Sequence, residues 1–121
     1  MRPEPILNID LAPTLLDLAA VPIPATMQGV SLVPLLRNEP VQWREEIFYE
    51  YFEDFPYQVP ASRAVRTADY LYIDYDRGLP PELYATTTDP EQLTNVADDP
   101  AYASVRSELS ALLADLQRDY T

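Results

Sequence analysis

Apolar residues near the start of the chain cluster without leaving one clean polar face. Leu11, Leu15, Leu16, Leu18 and Ala19 fall on several sides of a helix, with Thr14 and Asp17 as its polar members. A surface helix shows a narrower apolar stripe, so this pattern predicts a helix buried on more than one side. Asp10 stands where an N-cap belongs, and Pro13 falls in the first turn, where its missing N–H costs nothing. Val21-Pro22-Ile23-Pro24 ends the helix, because residues before proline are pushed out of the helical region. Ser31 then caps a second, brief helix through Leu32, Val33, Leu35 and Leu36. Asn38-Glu39-Pro40 closes it and marks the expected boundary between residues 1–40, a helical arm, and residues 41–121.

Past that boundary the period changes. Ile47-Phe48-Tyr49-Glu50-Tyr51-Phe52 is aromatic and β-branched, as strands prefer, and Arg63–Thr67 follows a loop at 53–62. Tyr70–Tyr75 alternates, with Leu71, Ile73 and Tyr75 on one face and Tyr70, Tyr72 and Asp74 on the other. The link Thr67-Ala68-Asp69 is short enough for a hairpin, and Glu82-Leu83-Tyr84 adds a fourth strand. The helical period returns at the end. Val105, Leu109, Leu112, Leu113, Leu116 and Tyr120 form one stripe, behind the capping residues Asp98-Asp99-Pro100. The expected fold is α+β: an antiparallel sheet of three or four strands, packed by a long C-terminal helix and preceded by the helical arm.

Composition removes whole classes of chemistry. The chain of 121 residues has no Cys and no His, and all eight basic residues are Arg. Thiol nucleophiles, disulfides, Cys/His zinc sites and imidazole acid–base catalysis are therefore excluded for these residues. A net charge of −12 repels phosphate backbones, so neither nucleic acid nor an anionic membrane is an expected partner. No apolar run approaches the ~20 residues that span a bilayer, and the first residues lack the apolar core of a signal peptide. Thirteen Pro against two Gly predict stiff turns between short elements. Asp74-Tyr75-Asp76-Arg77-Gly78 departs from a calcium loop at Gly78 and Ala85, where oxygen ligands belong, and at Leu79, where the sharp turn calls for glycine. The adjacent acids Glu45-Glu46 and Asp98-Asp99 do not face one another across a cleft, as paired-carboxylate hydrolysis requires. Neither a catalytic nor a metal-binding residue is expected in this chain.

The order of the local features is more specific than any one of them. Asn8–Pro22 resembles the segment that follows the catalytic core in sulfatases of the alkaline phosphatase superfamily. Met27–Leu36 is similar to that family's next stretch, and Trp43-Arg44-Glu45 with Tyr49-Glu50-Tyr51 to the entry of its smaller C-terminal subdomain. Arg63–Thr67 with Tyr70, Tyr72 and Ile73 resembles its strand pair. Glu82-Leu83-Tyr84, Asp89-Pro90-Glu91 and Asn95–Pro100 resemble its closing pattern. The series runs in order from about residue 8 to the end.

The resemblance implies a C-terminal piece of a sulfatase, in which residues 1–40 end the large domain and 41–121 form the C-terminal subdomain. In that family the nucleophile is a formylglycine made within a Cys/Ser-x-Pro-x-Arg motif, and the metal is divalent, usually calcium. Both lie upstream of this segment, so no cofactor is expected in the chain itself. Its implied partner is the remainder of the catalytic domain. The loop at 53–62 reaches the mouth of the substrate pocket in family members, which makes Tyr57, Ser62 and Arg63 the candidates for a substrate rim. The sequence departs from the family where Gly usually replaces Ala20, where Lys is common at Leu71, and where His is frequent near Ser62. Two other readings stay open: a piece of a phosphonate or phosphate monoester hydrolase of the same superfamily, and a stand-alone interaction or glycan-binding module using the Tyr-rich sheet. A homodimer is expected for the isolated chain, through the apolar helix of its first 40 residues.

Overall fold

The computed structural model describes residues 4–52, 56 and 59–120. It divides into two compact units, one ending at Arg44 and one beginning at Glu45.

In the first unit a 3-10 turn, Asn8–Asp10, runs into helix α1, Leu11–Leu18. Asp10 does not cap α1. It is itself helical, at φ −77° and ψ −15°, and its carboxylate is taken by stronger donors elsewhere. Leu7 N–H donates to Oδ2 at 2.8 Å and Val30 N–H to Oδ1 at 2.9 Å, and the Arg44 guanidinium closes on both oxygens. Helix α1 ends at a left-handed residue, Ala20, with φ 54°. Ala20 N–H donates to Asp17 O at 3.0 Å and Val21 N–H to Leu16 O at 2.9 Å, the two bonds of a Schellman closure. Helix α2, Val33–Leu36, closes the same way at Asn38, with φ 56°, a residue that tolerates this conformation.

The two helices are stitched by short side chains. Thr14 Oγ1 donates to Asp10 O at 2.5 Å and accepts from Leu32 N–H at 2.8 Å. Ser31 Oγ donates to Asp17 Oδ2 at 2.5 Å and accepts from Val33 N–H at 3.2 Å, one residue before the N-cap position of α2, which is Leu32 and not Ser31. Gly29 is forced by space: a Cβ there would lie 2.0 Å from the Ile9 carbonyl oxygen. Only the Pro13–Thr14 side of α1 is buried. Leu11, Leu15 and Leu18 are 58%, 67% and 60% exposed, so burial on several sides is not realised within this unit. Its partner segment, residues 29–33, covers one side of α1 and no more.

The second unit is a four-stranded antiparallel sheet in sequential order: β1 Ile47–Tyr51, β2 Ser62–Arg66, β3 Tyr70–Tyr75 and β4 Glu82–Ala85. Thr67 fastens the β2–β3 hairpin, its N–H donating to Tyr70 O at 2.9 Å. Arg77 and Gly78, at φ 66° and 69°, turn the chain between β3 and β4. Asp99 accepts from Ala101 N–H at 2.9 Å and Pro100 follows it, starting a 3-10 turn that leads into α3, Ala103–Tyr120.

Helix α3 lies on the face that carries Phe48, Val65, Tyr72 and Leu83. Leu109 and Leu113 are buried there, and Val105, Leu112 and Leu116 pack beside them. Tyr120 is exposed yet stacks on Phe48 at 5.8 Å between ring centroids. The period-two pattern of β3 makes Leu71 and Ile73 look like the core face, but the helix takes Tyr72 instead. Beyond β4, Asn95 Oδ1 accepts from Leu83 N–H at 3.0 Å and Ala97 N–H at 2.9 Å, which satisfies an edge that would otherwise stay open.

Candidate functional site at the start of the second strand

Strand β2 opens at Ser62, the side of the sheet where the β1–β2 loop leaves. The register sets Ser62 between Tyr51 and Tyr75, and Arg63 between Glu50 and Asp74. Successive strand side chains point to opposite faces, so Ser62 and Arg63 share a rim but not a surface. Tyr57 lies outside the described residues.

Arg63 is already engaged. Its Nη1 donates to Asp76 Oδ1 at 2.8 Å, and its buried Nε lies 3.4 Å from Glu50 Oε1 without hydrogen-bond geometry. Asp76 N–H also donates to Ala61 O at 2.9 Å. The guanidinium thus joins β1, β2 and the turn after β3, and much of its charge is answered by two carboxylates. Such a group sets the loop root in place more readily than it captures an anion. Sequence reasoning did not pair Glu50 or Asp76 with Arg63; only the register reveals Glu50 as the cross-strand partner.

A second polar cluster sits on the other face. Tyr84 Oη donates to Glu82 Oε2 at 2.8 Å. Burial first, then the Glu82 hydrogen bond and charge, pushes Tyr84 up to about 12. Burial and Glu82 also raise Tyr75. Both phenols stay protonated at neutral pH, as donors and not as nucleophiles. Among the described residues no three His, Cys, Asp or Glu side chains come together to hold a metal ion. The arrangement can orient a loop and donate hydrogen bonds.

The family described as "N-sulphoglucosamine sulphohydrolase, C-terminal" matches residues 1–119. The N-acetylglucosamine-6-O-sulfatase of Bacteroides thetaiotaomicron is 36% identical over 120 residues, covering 94% of this chain and 21% of that protein. A structure solved in complex with its substrate D-glucosamine-2-N,6-O-disulfate superposes with a TM-score of 0.81 at 35% identity, over 92% of this chain and 24% of the other. The phosphonate monoester hydrolase of Agrobacterium radiobacter superposes with a TM-score of 0.76 at 31% identity, over 93% and 25%. The chain therefore spans about a fifth to a quarter of the length of these relatives. The match over nearly every residue, on a sheet and helix of the same fold, makes this chain a C-terminal part of a sulfatase, a member of the N-sulphoglucosamine sulphohydrolase C-terminal family.

Proposed function

We propose that the chain serves as the C-terminal subdomain of a sulfuric ester hydrolase. It completes the fold of a catalytic domain that supplies the reacting groups. Residues 1–40 belong to the end of the large domain on this reading, and residues 41–121 to the subdomain. The observation that carries it is a match over 94% of the chain to 21% of a sulfatase, by a segment without His, Lys or Cys. The formylglycine and the divalent metal then belong to the remainder of the catalytic domain. Among the described residues no three His, Cys, Asp or Glu side chains come together to hold a metal ion. Ser62 and Arg63, with Tyr57 a few residues before them in the sequence, are proposed as the substrate rim. Arg63 acts there by holding the loop root.

A phosphonate monoester hydrolase is the second reading, favoured by the Agrobacterium structure at 31% identity. The test is a graft in which these 121 residues replace the matching segment of the N-acetylglucosamine-6-O-sulfatase. The free chain should hydrolyse no aryl sulfate and no phosphonate ester. The graft should hydrolyse its host's substrate, and Arg63→Ala in the graft should raise KM more than it lowers kcat. Turnover by the free chain that vanishes on mutating one of its residues would overturn the proposal.

The isolated chain is further proposed to form a homodimer through the exposed leucines of α1. Light scattering on the wild type and on Leu15→Glu checks this, with dimer and monomer expected respectively. A monomeric wild type at high concentration would end the idea.

A further inference from the structure

The face of the sheet under α3 is not sealed along its whole length. Tyr72 stands there in register between Val65 and Leu83 and is only 4% exposed. A tyrosine buried to this degree ordinarily gives its hydroxyl a partner. The Tyr72 hydroxyl has none among the described residues. The described side-chain polar atoms that are shut off from solvent without a partner are Glu4 Oε2 and Arg63 Nε, so the Tyr72 hydroxyl reaches open space. That space is a groove of about 640 Å³ beside α3 and the turn at 97–100, with Tyr72 on its floor.

The helix wall of the groove is recessed because its residues are small. Ala103, Ser107, Ser110, Ala111 and Ala114 recur at intervals of three and four, so they share one side of α3. All five are exposed and line the groove. Two of them add hydroxyls to that of Tyr72, and Pro100 adds apolar surface to the alanines. The volume falls within the range of small-molecule sites, about 300–1,000 Å³.

Charge narrows what fits. Asp98 and Asp99 edge the groove, in a chain of net charge −12. Among the described lining residues Arg106 is the one cation, and it is engaged. Its Nη1 donates to Ala97 O at 3.0 Å and lies 3.5 Å from Asp98 Oδ1. An anion would therefore meet two carboxylates and no unanswered cation. A neutral ligand rich in hydroxyls would meet three hydroxyls that both donate and accept.

We infer that this groove binds a neutral sugar ring, with the Tyr72 hydroxyl as its buried hydrogen-bond partner. Ser107 and Ser110 complete the hydrogen bonding, and the small residues of α3 admit the ring. The site lies within the second unit alone and does not depend on the role of the chain as a sulfatase subdomain.

Titration of the free chain with N-acetylglucosamine, followed by backbone amide chemical shifts, tests the site. Saturable shifts are expected at Tyr72, Ala97, Ser107 and Ala111. Tyr72→Phe removes the hydroxyl alone. It should weaken binding by about tenfold, the worth of one hydrogen bond, and leave the melting temperature unchanged, because no bond within the fold is lost. Ala111→Phe fills the groove from an exposed position and should abolish the shifts. N-acetylglucosamine 6-sulfate should bind at least about tenfold more weakly than the neutral sugar. Absence of saturable shifts at the groove would overturn the inference, as would shifts that both variants leave intact. Equal or tighter binding of the sulfated sugar would overturn the neutral ligand class. A clear drop in melting temperature for Tyr72→Phe would show that the hydroxyl serves the fold, and the site would lose its ground.

Discussion

Arg44 closes a two-pronged pair on Asp10 across 34 residues, with Nη1 to Oδ2 at 2.6 Å and Nη2 to Oδ1 at 2.7 Å. Asp10 is fully buried and Arg44 is half-buried. The same carboxylate accepts the backbone N–H groups of Leu7 and Val30, so it ties three distant stretches into one unit. Removing one partner leaves an unanswered charge away from water, which typically costs about 3–5 kcal/mol. Arg44→Ala should therefore open the first unit while the sheet stays folded. The chain's single Trp, Trp43, donates its indole N–H to Pro5 O at 2.7 Å in that unit. Its fluorescence should shift at lower urea in Arg44→Ala, with the far-ultraviolet signal of α3 holding to the wild-type midpoint.

Acid should act through the same carboxylate. Burial alone would raise its pKa, but the Arg44 hydrogen bonds, the Val30 and Leu7 amides and the Arg44 charge outweigh that and bring it from 3.8 to about 2. A depressed pKa means stability that is whole above pH 3.8 and is lost as the pH falls toward 2, on the order of 2 kcal/mol in all. Acid titration followed at Trp43 should show this loss in the wild type. In Asp10→Asn the first unit should start weaker and respond less over the same pH window.

Ala20 occupies the left-handed position that closes α1, at φ 54°. A side chain with a Cβ costs about 1–2 kcal/mol in that conformation, and glycine avoids it. Ala20→Gly should raise the urea midpoint of the first unit, by about 1 kcal/mol after glycine's greater unfolded-state entropy is set against the relief. An unchanged or lower midpoint at Trp43 would show that the closure carries no strain.

Leu113 is the test of the second unit. It is buried against the sheet with Val65, Tyr72 and Leu83, and truncating a buried leucine to alanine costs about 2–5 kcal/mol. Leu113→Ala should lower the thermal midpoint measured by circular dichroism well below the wild type. Arg118→Ala removes an exposed partner of Asp115, a surface pair worth little, and should leave the midpoint within about 0.5 kcal/mol. Similar small shifts from both would mean that α3 is not seated as described.

Each of these sites was visible in the sequence to a different degree. The stripe of α3 and the alternation of β3 are local patterns, and periodicity carries them because each depends on neighbours within a turn or two. The membership of the family was legible for a related reason: many weak local matches in a fixed order constrain one another. Ala20 could be marked as a departure from the family, but only its φ made it a strained position.

What the sequence determined by itself was the inventory: an α+β order of elements, no imidazole or thiol for catalysis, and the α3 stripe that must find a sheet. Tertiary structure decided the pairings. Asp10 reads as an N-cap because capping is a contact within three residues, yet Arg44, 34 positions on, supplies a stronger donor that no local pattern foretells. Arg63 is a substrate-rim candidate by resemblance, but the register brings Glu50 to it and the turn after β3 brings Asp76. Period two divides β3 into two faces, both with apolar members. Which face lies under α3 depends on the strands beside it: Val65 and Leu83 stand in register with Tyr72, and burying those three together removes more apolar area from water than either strand could alone.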